Sequence, residues 1–191
     1  PHSGLCGSEW RVRLAGHPSP IAGHEASGII VRPPAGSDFV EGELVGISAV
    51  HGCTTCDECK AGRETWCTAG PNIQIGMHAS RIAVSAGQLR KLPADTDPVD
   101  AVLLSGDALG VPVRAARRVP GDKGAPVVVI GLGPVGLAHV LVRSFLGYEV
   151  HAIEPSPYRR ELAMKLGASS GVSPDDGLDV RAALVIEATG R

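Results

Sequence analysis

Cys53, Cys56, Cys59 and Cys67 stand within fifteen residues of chain, at spacings of three, three and eight. No other feature constrains the fold as much. Four thiolates at tetrahedral corners satisfy one zinc ion, and Cys-x-x-Cys turns present two of them without strain. Four thiolates also leave no open coordination position, so the predicted site is structural. Gly52, Gly62 and the polar residues between the cysteines suit a compact lobe wrapped round the metal. Four unrelated free cysteines, or two disulfides, are the rival readings. With no signal-peptide pattern the expected compartment is the cytoplasm, where disulfides are rare. A nucleic-acid finger is disfavoured by charge, because Asp57, Glu58 and Glu64 outweigh Lys60 and Arg63 and leave little to bind phosphates.

The 191 residues are 43% hydrophobic and carry a formal net charge of -2, values that fit a globular chain of one or two domains. Near-neutral charge without a long basic run argues against a nucleic-acid partner. The longest apolar stretch, 127–142, is broken by Gly131, Gly133, Pro134 and Gly136, which argues against a membrane span. The pattern changes near residue 105. Before it, short β-branched runs at 26–31, 43–50, 81–85 and 89–92 alternate with turn residues and predict an irregular, mostly β domain. Helical stretches are expected within 98–119. Beyond 120 the pattern reads strand 125–130, helix 134–146, strand 149–153, helix 157–166, then short strands at 170–173 and 182–188. Such alternation predicts a doubly wound parallel sheet, and the chain as a whole is α/β.

Gly131-Leu132-Gly133-Pro134-Val135-Gly136 follows the first of those strands and opens a helix. Gly131 permits the tight turn, Gly133 lets backbone approach a pyrophosphate, and Gly136 allows close helix packing. The pyrophosphate would sit at the helix N-terminus. Glu154 ends the second strand, 23 residues after Gly131. A carboxylate there bonds ribose hydroxyls and repels a 2′-phosphate, so NAD is expected over NADP. Arg159, counted with the cofactor-binding residues, and Arg160 are near enough in sequence to soften that preference.

One cysteine is left over. It lies in Cys6-Gly7-Ser8-Glu9, and Gly23-His24-Glu25-Ala26-Ser27-Gly28 follows. On spacing alone a single Cys and a single His are more often core or surface residues than metal ligands. Taken in order, however, Cys-Gly-Ser-Glu, Gly-His-Glu-x-x-Gly, the four-cysteine loop and the glycine turn resemble the zinc-containing medium-chain dehydrogenases, which include alcohol, sorbitol and threonine dehydrogenases. The resemblance covers essentially the whole chain.

It implies a GroES-like, mostly β catalytic domain over 1–108 and a partial Rossmann NAD-binding domain over 109–191. It also implies that Cys6 and His24 bind a catalytic zinc beside the structural one. The third ligand maps to Asp107 in Ser105-Gly106-Asp107-Ala108-Leu109-Gly110, a residue that local reading would also accept as a helix N-cap. Glu25, counted with Ser8 as catalytic, would lie beside the metal either behind its ligands or as an exchangeable ligand, and Glu9 would orient His24. Ser8 resembles the hydroxyl that passes the alcohol proton outward, with Arg11 where some relatives continue that relay with His. Val135 resembles the residue behind the nicotinamide ring. His2, His17, His51, His78, His139 and His151 have no metal-ligand spacing and read as loop or surface residues.

The implied reaction is zinc-dependent hydride transfer between NAD and a small secondary alcohol, polyol or amino alcohol, or the matching carbonyl. A zinc-dependent formaldehyde dehydrogenase relative and a non-catalytic zinc-stabilised scaffold are the alternatives. The resemblance further implies a homo-oligomer at full length. It also implies a longer chain, with strands before Cys6 and the second half of the nucleotide fold after Arg191, so that turnover belongs to that longer form.

Overall fold

The computed structural model describes residues 2–16 and 23–190. His17 and the side chain of Arg11 lie outside the described residues. Two compact units divide the chain, Pro1–Asp107 and Ala108–Arg191.

In the first unit, α1 (Gly7–Leu14) precedes β1 (Ala26–Ile29), β2 (Leu44–Ile47) and β3 (Val50–His51). A one-turn α2 (Asp57–Lys60) and a 3-10 turn (Glu64–Trp66) lie within the cysteine lobe, followed by β4 (Asn72–Ile73) and β5 (Leu89–Lys91). Strands β1, β2 and β5 form an antiparallel sheet in that order, with Ala26 opposite Ile47 and Ile47 opposite Leu89. Strands β3 and β4 pair separately. Inward residues of the larger sheet, Ala26, Val45, Ile47 and Leu89, close round Met77 and Ile30 as one apolar core. Helix α3 (Pro98–Ser105) packs on β1 and β2. Its start is fixed by Asp97, whose side chain accepts from the Val99 N–H at 2.7 Å, and by Pro98 in the first turn, where a missing N–H costs nothing.

Two sequence expectations differ here. Residues 81–85 form no strand, although Ile82 and Val84 pack against the core. Their alternation records burial without a ladder partner. The chain also has α1, although GSEWRVRL shows no sustained apolar stripe to signal a helix.

The second unit contains α4 (Asp107–Arg118, of which Asp107 belongs to the first unit), β6 (Pro126–Ile130), α5 (Pro134–Phe145), β7 (Glu149–Ile153), α6 (Pro157–Lys165), β8 (Ser170–Val172) and β9 (Leu184–Glu187). All four strands are parallel and lie in the order β8-β7-β6-β9. Val127, Val129, Val150 and Ala152 are almost wholly buried and pack with Leu132, Val140 and Ala163, as strands covered on both faces require. In strand sequence the order is 3-2-1-4, so successive strands leave β6 on opposite sides. Ligands bind at that reversal, outside the carboxyl ends of the strands. This is the doubly wound parallel sheet that the alternating pattern predicts. His139 and His151, read from sequence as loop or surface residues, are instead buried on α5 and β7. Among the described residues no helix is long and apolar enough to cross a membrane.

Candidate metal centres and nucleotide site

The four cysteines of the loop converge. One sulfur from each of Cys53, Cys56, Cys59 and Cys67 lies within 4.8 Å of the others, and the Sγ atoms of Cys53 and Cys59 are 4.0 Å apart. Sulfurs at Zn–S bond length on tetrahedral corners stand about 3.8 Å apart, so the donor set fits zinc in chemistry and in span. Gly52 makes the closure possible, because a Cβ there would run into the Cys59 sulfur. The Cys53 N–H donates to the Cys67 sulfur at 3.3 Å, and the Cys56 N–H to the Cys53 sulfur at 3.4 Å. The Thr55 hydroxyl and neighbouring backbone donors draw the Cys53 thiol down to about 5. Burial and the adjoining sulfurs push the Cys59 thiol up to about 12. A divalent cation replaces the protons these sulfurs would otherwise share.

A second group brings together Cys6, His24 and Glu25, again with one ligand atom from each within 4.8 Å of the others. Cys6 stands immediately ahead of α1, and His24 and Glu25 lead into β1. Glu9, in the first turn of α1, serves this group from behind. Its Oε1 lies 3.3 Å from His24 Nδ1 and accepts from the Gly23 N–H. Its Oε2 accepts from the Cys6 N–H at 3.1 Å. With Nδ1 turned to the carboxylate, His24 keeps Nε2 for a metal, and that atom is 4.0 Å from Glu25 Oε1. Burial opposes the charge on Glu9, but the Gly23 and Cys6 N–H groups and His78 outweigh it and lower the pKa. Burial raises the pKa of Glu25, with the charges of Asp107 and Glu9 adding to the rise against His24.

Asp107, the third ligand implied by resemblance, is exposed in the first turn of α4 and stands outside this group. Its stretch meets the site through Gly106 instead. A Cβ at Gly106 would come 3.2 Å from Glu25 Cγ, and one at Gly4 would come 3.0 Å from Glu25 Oε2. The Glu25 side chain therefore sits in a slot that two glycines leave open. Ser8 is exposed in α1, two residues beyond Cys6.

His78, one of the histidines expected in loops or at the surface, is an exposed loop residue that is also tied to this cluster. Its Nε2 lies 3.2 Å from Glu9 Oε2, and its Nδ1 is hydrogen-bonded to the Ser3 hydroxyl. Nothing in the local sequence signals this. Residues 3, 9 and 78 meet only because Met77 is buried in the core and its N–H donates to the Gly23 carbonyl at 3.1 Å. Gly23 itself has φ of 100°, and a Cβ there would collide with the His78 backbone.

In the second unit a cleft of about 310 Å³ opens at the carboxyl ends of β6, β7 and β9, lined among others by Gly131, Gly133, Glu154, Arg159 and Thr189. Gly131 has φ of 87° and lies against the Ala188–Thr189 backbone, while a Cβ at Gly136 would overlap the Gly131 carbonyl oxygen. By contrast, a Cβ at Gly133 would meet nothing within 4 Å, and its backbone borders free space at the start of α5. Glu154 is buried and accepts from the Leu132 N–H at 2.7 Å and the Ser156 N–H at 3.1 Å. Arg159 Nη1 is 3.8 Å from its Oε1. Arg160 turns away to the Glu154 and Pro155 carbonyls, both at 2.7 Å. Val135 is in the first turn of α5 and partly exposed.

Residues 2–94 match the family model described as the alcohol dehydrogenase GroES-like domain. The chain is also 32% identical over 183 residues to a 2-dehydro-3-deoxy-L-galactonate 5-dehydrogenase of Pseudoalteromonas atlantica, covering 91% of this chain and 52% of that protein. The chain belongs to the medium-chain dehydrogenase family. Another medium-chain relative, the L-threonine 3-dehydrogenase of Bacillus velezensis, is 34% identical over 84% of this chain and 48% of its own length. Among solved structures, an alcohol dehydrogenase from Thermus sp. ATN1 superposes with a TM-score of 0.81 at 30% identity, covering 97% of this chain and 60% of that one. This medium-chain dehydrogenase chain thus spans about half the length of the curated relatives it matches. Its GroES-like domain and partial Rossmann sheet are those of the family.

Proposed function

We propose that the chain is the zinc- and nucleotide-binding part of an NAD-dependent dehydrogenase acting on a small secondary alcohol, polyol or amino alcohol. The observation that carries this reading is the convergence of Cys6, His24 and Glu25 with Glu9 behind His24. A purely structural lobe has no use for a second donor set of three ligands, which leaves a coordination position open. Zinc held there supplies a Lewis acid that polarises an alcohol or carbonyl oxygen. The chain's own residues prepare the site. Glu9 fixes the His24 tautomer, the Gly4–Gly106 slot admits the Glu25 carboxylate, and Asp107 lends negative charge nearby. Ser8 is the proposed outward proton carrier.

NAD is the proposed cofactor, with the pyrophosphate at the open Gly133 backbone and the adenosine ribose beside Glu154. A buried carboxylate held by two backbone donors cannot swing away from a 2′-phosphate, which supports NAD over NADP. The relatives named above are, by their own names, dehydrogenases of a sugar acid, of threonine and of alcohols, and this supports the substrate class. Purified chain should bind NAD more tightly than NADP in a calorimetric titration. A longer form carrying the same residues should oxidise members of an alcohol and polyol panel with NAD. NAD binding with no turnover by that longer form on any alcohol, polyol or aldehyde would favour a scaffold.

A further inference from the structure

We propose that His78 is a positioning residue for the Cys6–His24–Glu25 metal site, acting through Glu9. The inference rests on the reading of that triad as a zinc site.

The side chains of Ser3, His78 and Glu9 form one hydrogen-bonded chain that continues to His24 as an ion-pair contact, and a single assignment of protons satisfies every link. A Glu9 carboxylate can only accept. His78 therefore donates from Nε2 to Oε2 across 3.2 Å, and its Nδ1 accepts from the Ser3 hydroxyl. On the other oxygen, His24 Nδ1 lies 3.3 Å from Oε1, and with that nitrogen turned to the carboxylate Nε2 of His24 is left as the metal donor. The carboxylate is thus held by a ring on each oxygen and by a backbone N–H on each, from Gly23 and from Cys6. A terminal carboxylate torsion is soft. Without His78, Oε2 keeps only the Cys6 N–H among the described residues, and the plane that orients His24 loses its counterweight.

His78 is placed firmly despite an exposed edge, with 29% of its side chain accessible. Met77 is 3% exposed in the core, its N–H bonds to the Gly23 carbonyl, and Gly23 has no room for a Cβ against the His78 backbone. The segment carrying His78 is therefore locked onto the residue that precedes His24. Outer partners of metal-bound histidines typically contribute 10–100-fold in affinity.

The test compares the zinc-loaded full chain with His78→Ala and His78→Gln by competition against a chromophoric chelator, with the four-cysteine zinc as internal reference. His78→Ala should weaken the second zinc about tenfold and leave the first unchanged. His78→Gln, whose amide N–H can still reach Oε2, should recover most of that loss. In a Glu9→Ala background the His78→Ala change should have no further effect. Unchanged affinity in His78→Ala, or loss of both ions together, overturns the role of His78. A wild-type chain that holds only the four-cysteine zinc overturns the triad reading itself, and the inference with it.

Discussion

Oε1 of Glu9 lies 3.3 Å from Nδ1 of His24, although the two residues are 15 positions apart and come from a helix and the lead-in to a strand. In the proposed metal site this contact sets the direction of His24, since it commits one ring nitrogen and leaves the other for coordination.

Glu9→Ala removes that commitment and strands the Cys6 and Gly23 N–H groups. Zinc at the triad should then bind about 10–100-fold more weakly. The four-cysteine zinc should be retained, as read by metal content after dialysis against a graded chelator series.

Gly133 and Gly136 should separate binding from folding. A Cβ at Gly133 meets nothing within 4 Å, whereas one at Gly136 overlaps the Gly131 carbonyl. Gly133→Ala should leave the thermal transition of the second unit in place and weaken NAD at least tenfold, because the methyl occupies the pyrophosphate's approach. Gly136→Ala should destabilise the unit by about 1–3 kcal/mol. Equal melting temperatures for the two variants would contradict the assignment.

Gly52→Ala places a methyl on the Cys59 sulfur. The expected result is loss of the structural zinc and faster amide exchange across 53–67, with the triad zinc retained. Exchange rates indistinguishable from wild type would show that the lobe closes without the space this glycine provides.

Glu154→Gln leaves one of two backbone donors, from Leu132 or Ser156, facing an amide NH₂ in place of an oxygen. The second unit should lose about 1–3 kcal/mol. Removing the negative charge should also raise the ratio of NADP to NAD affinity by about tenfold, equivalent to roughly 1.4 kcal/mol. Parallel titrations with the two nucleotides check this.

Features encoded within a few residues were legible in the sequence. The four-cysteine spacing gave the metal lobe, and the glycine turn with its flanking strand and helix gave the nucleotide fold. Features decided by distant packing were not. Asp107, which the resemblance offers as third ligand, is exposed in the first turn of α4, whereas Glu25 lies with Cys6 and His24 and against the Gly106 position. His78 looks like any loop histidine until Met77 enters the core beneath it. The 81–85 run has strand-like alternation, yet it forms no ladder and only packs Ile82 and Val84 against the core. His139, expected in a loop or at the surface, is buried on α5 together with Arg143 one turn on.

Metal stoichiometry tests the central claim most directly. Native mass spectrometry of the zinc-loaded chain should show two zinc ions per chain, the second lost in Cys6→Ser while the first remains. A single zinc in the wild-type chain, unchanged in Cys6→Ser, would contradict a catalytic metal site on Cys6, His24 and Glu25.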